Sequence, residues 1–193
     1  MRQAMRTVTG SMSMVDERVR KGAAVAAATL LIAACAHVAF PLWFTPVPVT
    51  LQPFAVLLLG LLMTPGLAAT TMVLYLAEGA LGLPVFTPHG LGGIAQLLGP
   101  TGGYLMSYPL VAPLISWLWR QGSRGFARTL AIATAGSLVT LALGALWLEM
   151  LTRGSFSLLL SDAVVPFLAG DAVKVAAAAT MATSWTRFRL NLK

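Results

Sequence analysis

Charge is scarce in this chain. Asp, Glu, Lys and Arg together supply 10% of its 193 residues, against 58% apolar residues and a mean hydropathy of +0.82. That balance excludes an ordinary soluble domain. Strict polar–apolar alternation is also missing, which excludes a transmembrane β-barrel and leaves a helical bundle in a lipid bilayer. The single cysteine, Cys35, cannot form an internal disulfide. No glycine-rich segment ends in the Lys-Ser/Thr pair of a phosphate-binding loop, and no βαβ pattern surrounds one. HExxH, CxxC and GxSxG are absent too, so neither a metal site, a cofactor nor an enzyme is expected.

What is present is a series of apolar runs. Helices are predicted over about 22–40, 50–63 (interrupted by Pro53), 67–81, 102–119, 127–148 and 164–185. Between them lie the Pro-rich link "PLWFTPVPV", an irregular connection over 82–100, and a connection over 150–163 that has room for a short interfacial helix. The expected fold class is therefore an all-α membrane protein with a six-transmembrane-helix bundle over 22–186 and basic tails at 1–21 and 187–193. The string "LIAAC" at Leu31–Cys35 has the look of a lipoprotein-type signal, but it is read as part of a retained membrane anchor.

The thirteen basic residues are placed unevenly. Arg2, Arg6, Arg18, Arg20 and Lys21 precede the first helix, Arg120, Arg124 and Arg128 join the fourth to the fifth, and Arg187, Arg189 and Lys193 follow the last. Only Arg153 falls on the opposite side, and Lys174 lies inside the last helix. This pattern predicts cytoplasmic termini and explains the net charge of +7 without a nucleic-acid partner.

Ionisable groups at membrane depth are costly unless they meet a partner or a wet cavity. Asp171 and Lys174 in "FLAGDAVKV" are spaced i, i+3 and share one helix face. They form either an internal ion pair or a pair offered to a polar ligand. Glu78 in "YLAEGALGLPVF" closes its helix as a ligand group or as a solvated carboxylate. Gln52 suits a hydrogen bond to another helix or to a ligand. His89 reads as a loop residue. Ala23, Ala24, Ala27 and Ala28 form small-xxx-small pairs on the first helix, suited to close approach by another helix, either within the bundle or from a second membrane protein.

The segments "PVPVTLQPFAVLLLG", "YLAEGALGLPVF", "GPTGGYLMSYPL" and "PFLAGDAVK" are similar, in order and spacing, to the BioY family. Its members are the biotin-specific substrate-binding (S) components of energy-coupling factor transporters. The resemblance implies six transmembrane helices in the inner membrane, biotin as ligand, and energising partners comprising a transmembrane T component and two ATPases. It also extends to members that act without those partners and to homo-oligomers. By the same resemblance, Asp171 and Lys174 bind biotin's polar groups. Glu78, Gln52, Phe86, Gly93, Thr101, Gly102, Gly103, Tyr104 and Phe167 complete the expected pocket, and the alanine face of the first helix meets the T component. The alternatives are an S component for another vitamin, or an intramembrane enzyme or assembly subunit using Glu78, His89 and Asp171.

Overall fold

A computed structural model describes residues 2–153, 160 and 163–191; side chains are described from 15 to 189 within that range. The elements are α1 (Arg2–His37), β1 (Ala39–Phe40), β2 (Val49–Thr50), α2 (Gln52–Leu62), α3 (Pro65–Ala80), α4 (Gly93–Leu98), α5 (Gly102–Arg120), α6 (Phe126–Thr152) and α7 (Val165–Asn191).

Several boundaries differ from the sequence expectation for identifiable reasons. Helix α1 begins at Arg2 rather than at 22, because hydropathy marks where a helix meets lipid and not where it starts. Its basic stretch remains helical, with Glu17 and Lys21 paired at 2.6 Å across one turn. It stops at His37 because Val38 O accepts from Leu51 N and residues 39–40 pair antiparallel with 49–50. Pro53 does not interrupt α2. It occupies the first turn, where a missing N–H costs nothing. The 82–100 connection is not wholly irregular, since α4 forms within it after Gly92 and Gly93 take positive φ values of 69° and 58°. The short helix considered within 150–163 lies almost entirely outside the described residues.

Among the described residues, three stretches are long and apolar enough to cross a membrane: Val15–His37, Phe126–Thr152 and Val165–Arg189. Helices α2 and α3, with 11 and 16 residues, reach only about 17 and 24 Å, short of a hydrocarbon core of about 30 Å.

Helix α5 packs against α2, α3, α4 and α6, while α7 closes against α2 and α6. One core joins α1, α2, α3 and α5 through Ile32, Val56, Met72, Tyr75 and Tyr108. A second joins α2, α5, α6 and α7 through Leu57, Leu61, Ile115, Trp119, Ile132 and Ala178. At one end of the bundle, Arg120 donates to Met63 O at 3.1 Å and Arg128 to Leu118 O at 2.6 Å, so this basic end also holds the α2–α3 turn. At the other end, Trp147 Nε1 donates to Gly99 O at 2.9 Å and Tyr104 Oη to Ala163 O at 2.7 Å. This mouth end gathers the hairpin, the α3–α5 segment and the start of α7.

Candidate ligand pocket

Asp171 and Lys174 lie two to three turns into α7 from Val165, about 9 and 13 Å along the axis. Both are 7% exposed. Lys174 Nζ donates to Asp171 Oδ1 at 2.9 Å, and Ser137 Oγ of α6 donates to Oδ2 at 3.0 Å. A buried ion pair gains little over apolar packing, because desolvation offsets the attraction. Its remaining hydrogen-bonding capacity faces a cavity.

That cavity has a volume of about 50 Å³. Gln52, Phe86, Thr101, Tyr104, Phe167, Asp171 and Lys174 all border it. Gln52 Nε2 donates to Tyr75 Oη at 2.6 Å, and that hydroxyl donates to Val85 O at 2.8 Å. The chain of bonds anchors both α2 and the segment after α3. Tyr104 and Phe167 rings lie 6.0 Å apart and form part of the apolar wall with Leu105, Tyr108 and Leu141.

Tyr104 reaches its position because α5 and α6 approach closely. A Cβ on Gly144 would collide with the Tyr104 ring, and one on Gly103 would come within 2.7 Å of Leu143 O and strike Trp147. Gly103 therefore serves the α5–α6 contact and Gly102 the approach of α5 to the Leu97 backbone of α4, and neither lines the cavity. Gly93 starts α4 and does not line it either. Glu78 is turned elsewhere: its Oε1 accepts from Thr29 Oγ1 of α1 at 3.3 Å.

His89 borders a second cavity of about 380 Å³ at the mouth, shared with Gly90, Leu91, Gly99 and Pro100. Asp171 and His89 thus border different cavities, and Glu78 borders neither of the two. Among the alanines of α1, Ala23, Ala24 and Ala27 are exposed, whereas Ala28 is buried with Ile32 and Cys35 in the bundle core.

Sequence reasoning missed Ser137, Thr140, Thr87 and Gln96. The first two were open to detection: Ser137, Thr140 and Gly144 recur on the buried stripe of α6 at helical spacing. A small and polar stripe on an otherwise apolar helix marks a face turned to protein or to a polar guest.

The BioY family model matches residues 4–190. The chain belongs to the BioY family. A probable biotin transporter BioY of Pyrococcus horikoshii is 41% identical over 137 residues, covering 71% of this chain and 79% of its own. Biotin transporter BioY2 of Lactococcus lactis is 36% identical over 150 residues, 78% of this BioY chain and 81% of the relative. The crystal structure of the S-component for biotin from an ECF-type ABC transporter superposes with a TM-score of 0.81 at 26% identity. That match covers 89% of this chain and 93% of the solved one, so the bundle has the S-component fold.

Proposed function

We propose that this chain captures biotin as the S component of an energy-coupling factor transporter and carries it across the bacterial cytoplasmic membrane. It performs no chemistry on its ligand. The observation that carries the reading is the buried Asp171–Lys174 pair, steadied by Ser137 and facing a cavity with an aromatic and aliphatic wall.

Biotin's ureido group has two N–H donors and one carbonyl acceptor. Asp171 accepts from the N–H groups, Lys174 donates to an oxygen of the ligand, and Gln52 adds an amide. Each charge-assisted bond contributes about 1.5–3 kcal/mol. The ring and tail take the apolar wall.

In the membrane we place the basic end in the cytoplasm, with both termini, and the mouth outside, giving six passes in which α2, α3 and α5 are the short ones. Exposed Ala23, Ala24 and Ala27 offer a low surface on α1 for a T component that works with two ATPases. Calorimetry of the purified protein with biotin, riboflavin and thiamin side by side tests the reading. Binding of biotin alone is expected; preference for another vitamin would refute it.

A further inference from the structure

The two ends of the bundle both present aromatic rings but differ sharply in charge. At the basic end, segments 117–128 and 185–189 carry Arg120, Arg124, Arg128, Arg187 and Arg189 and no carboxylate side chain. The segments lie together because the second core packs Trp119 of α5 and Ile132 of α6 with Ala178 and Ala182 of α7. Trp117, Phe126, Trp185 and Phe188 are exposed on them, the placement of an aromatic belt at a membrane–water boundary. The arginines among these rings therefore stand at headgroup depth. The mouth end exposes Trp43 and Phe44 but carries only Arg153.

The guanidinium groups of the basic end are not equivalent. Arg128 donates to Leu118 O, Trp119 O and Ser123 O, and Arg120 to Met63 O and Ser116 Oγ, so both serve the fold. Arg124 and Arg189 are held differently. The guanidinium carbon of Arg124 lies 4.8 Å from the centroid of the Trp119 ring, and that of Arg189 lies 5.6 Å from the Trp185 ring. Trp185 is itself stacked with Phe188, the two ring centroids 6.3 Å apart. Stacking fixes the plane of a guanidinium and leaves its N–H edge free. Among the described residues neither group donates a hydrogen bond or meets a carboxylate, the ion pairs being Lys21–Glu17 and Lys174–Asp171. Both residues are exposed.

We infer that Arg124 and Arg189 bind the phosphate groups of anionic phospholipids, which makes the basic end of the bundle a lipid-headgroup surface. A guanidinium fork matches a phosphate in geometry and in charge. Zwitterionic lipids offer the same phosphate but cancel its charge with their own ammonium, so the surface selects lipids of net negative charge. An arginine close to an anionic membrane surface contributes about fivefold in binding. The surface is remote from the pocket and holds its lipid whichever guest the pocket takes.

The test uses the full-length protein in detergent, given equal amounts of phosphatidylglycerol and phosphatidylcholine, with the lipid retained on the protein counted by native mass spectrometry. The wild type is expected to retain phosphatidylglycerol in an excess on the order of tenfold or more. Arg124→Gln/Arg189→Gln should bring that excess down to near parity while its melting temperature stays close to wild type. Should the double variant melt early, Arg189→Gln alone, on the exposed last turn of α7, reads the same effect at about fivefold. A control, Lys21→Gln/Arg153→Gln, removes the same formal charge elsewhere and should keep the wild-type excess. Inorganic phosphate, matched against chloride for ionic strength, should leave the excess in place; its loss would reveal a free-anion site and overturn the lipid assignment. An equal drop in the control would reduce the effect to net charge and overturn the assignment of the two arginines. Equal retention of both lipids by the wild type would overturn the whole inference, and the free arginines would then fit an acidic protein partner instead.

Discussion

The Asp171–Lys174 pair should separate stability from binding when its members are removed singly and together. Both side chains are almost wholly buried, and each is the other's ion-pair partner at 2.9 Å. Lys174→Met leaves Asp171 with only Ser137 as donor, a buried charge without its counterion. Removing one partner of a buried pair costs about 3–5 kcal/mol. For a chain of this size that corresponds to a fall of about 10 °C in melting temperature. The double variant Asp171→Leu/Lys174→Met removes both charges, so its ligand-free stability should return to wild type or exceed it. Biotin binding should not return. Two charge-assisted bonds lost at about 1.5 kcal/mol or more each amount to a hundredfold or greater loss of affinity. Melting followed by the fluorescence of the five tryptophans, with calorimetry on the same samples, reads both quantities. A double variant as unstable as the single one would refute the energetic reasoning, and one that binds biotin normally would refute the site.

Three further outcomes follow from packing and topology. Gly144→Ala should displace the Tyr104 ring, costing about 1–3 kcal/mol as overpacking, so both melting temperature and biotin affinity should fall. Tyr75→Phe removes the hydroxyl joining Gln52 to Val85; a loss of about 1–3 kcal/mol should appear as a lower melting temperature. For orientation, Ser123→Cys and His89→Cys in a Cys35→Ala background should be modified by a membrane-impermeant thiol reagent from the cytoplasmic and external faces respectively. The reverse pattern would invert the assignment drawn from the basic residues.

Long apolar runs were readable without coordinates because lipid imposes them: α6 and α7 start within one residue of expectation, though they end four and six residues later. The Asp171–Lys174 pair was readable because three-residue spacing on a helix fixes a shared face. Glu78 was not, since a helix end does not say which neighbour its side chain meets, and the neighbour proved to be Thr29. Helix α4 was hidden because six residues flanked by glycines carry too little periodicity to register. Gln96, which it positions, was hidden with it. Gly102 and Gly103 drew attention as possible ligand contacts, yet a glycine at a crowded helix crossing and one beside a ligand look alike in sequence; only the partner, here Leu97 for the first and Trp147 for the second, tells them apart.

The small hairpin at the mouth has a mechanical meaning. Residues 39–40 and 49–50, with the bond from Leu51 N to Val38 O, splice the end of α1 to the start of α2. The loop they enclose carries Pro41, Pro46 and Pro48 and delivers Val47 and Pro48 to the cavity border. A tilt of α1 therefore acts as a lever on the pocket's rim. Because coupling between two sites is reciprocal, any protein that grips α1 harder in one tilt than another alters the hold on the vitamin, and a filled pocket alters that grip by the same factor.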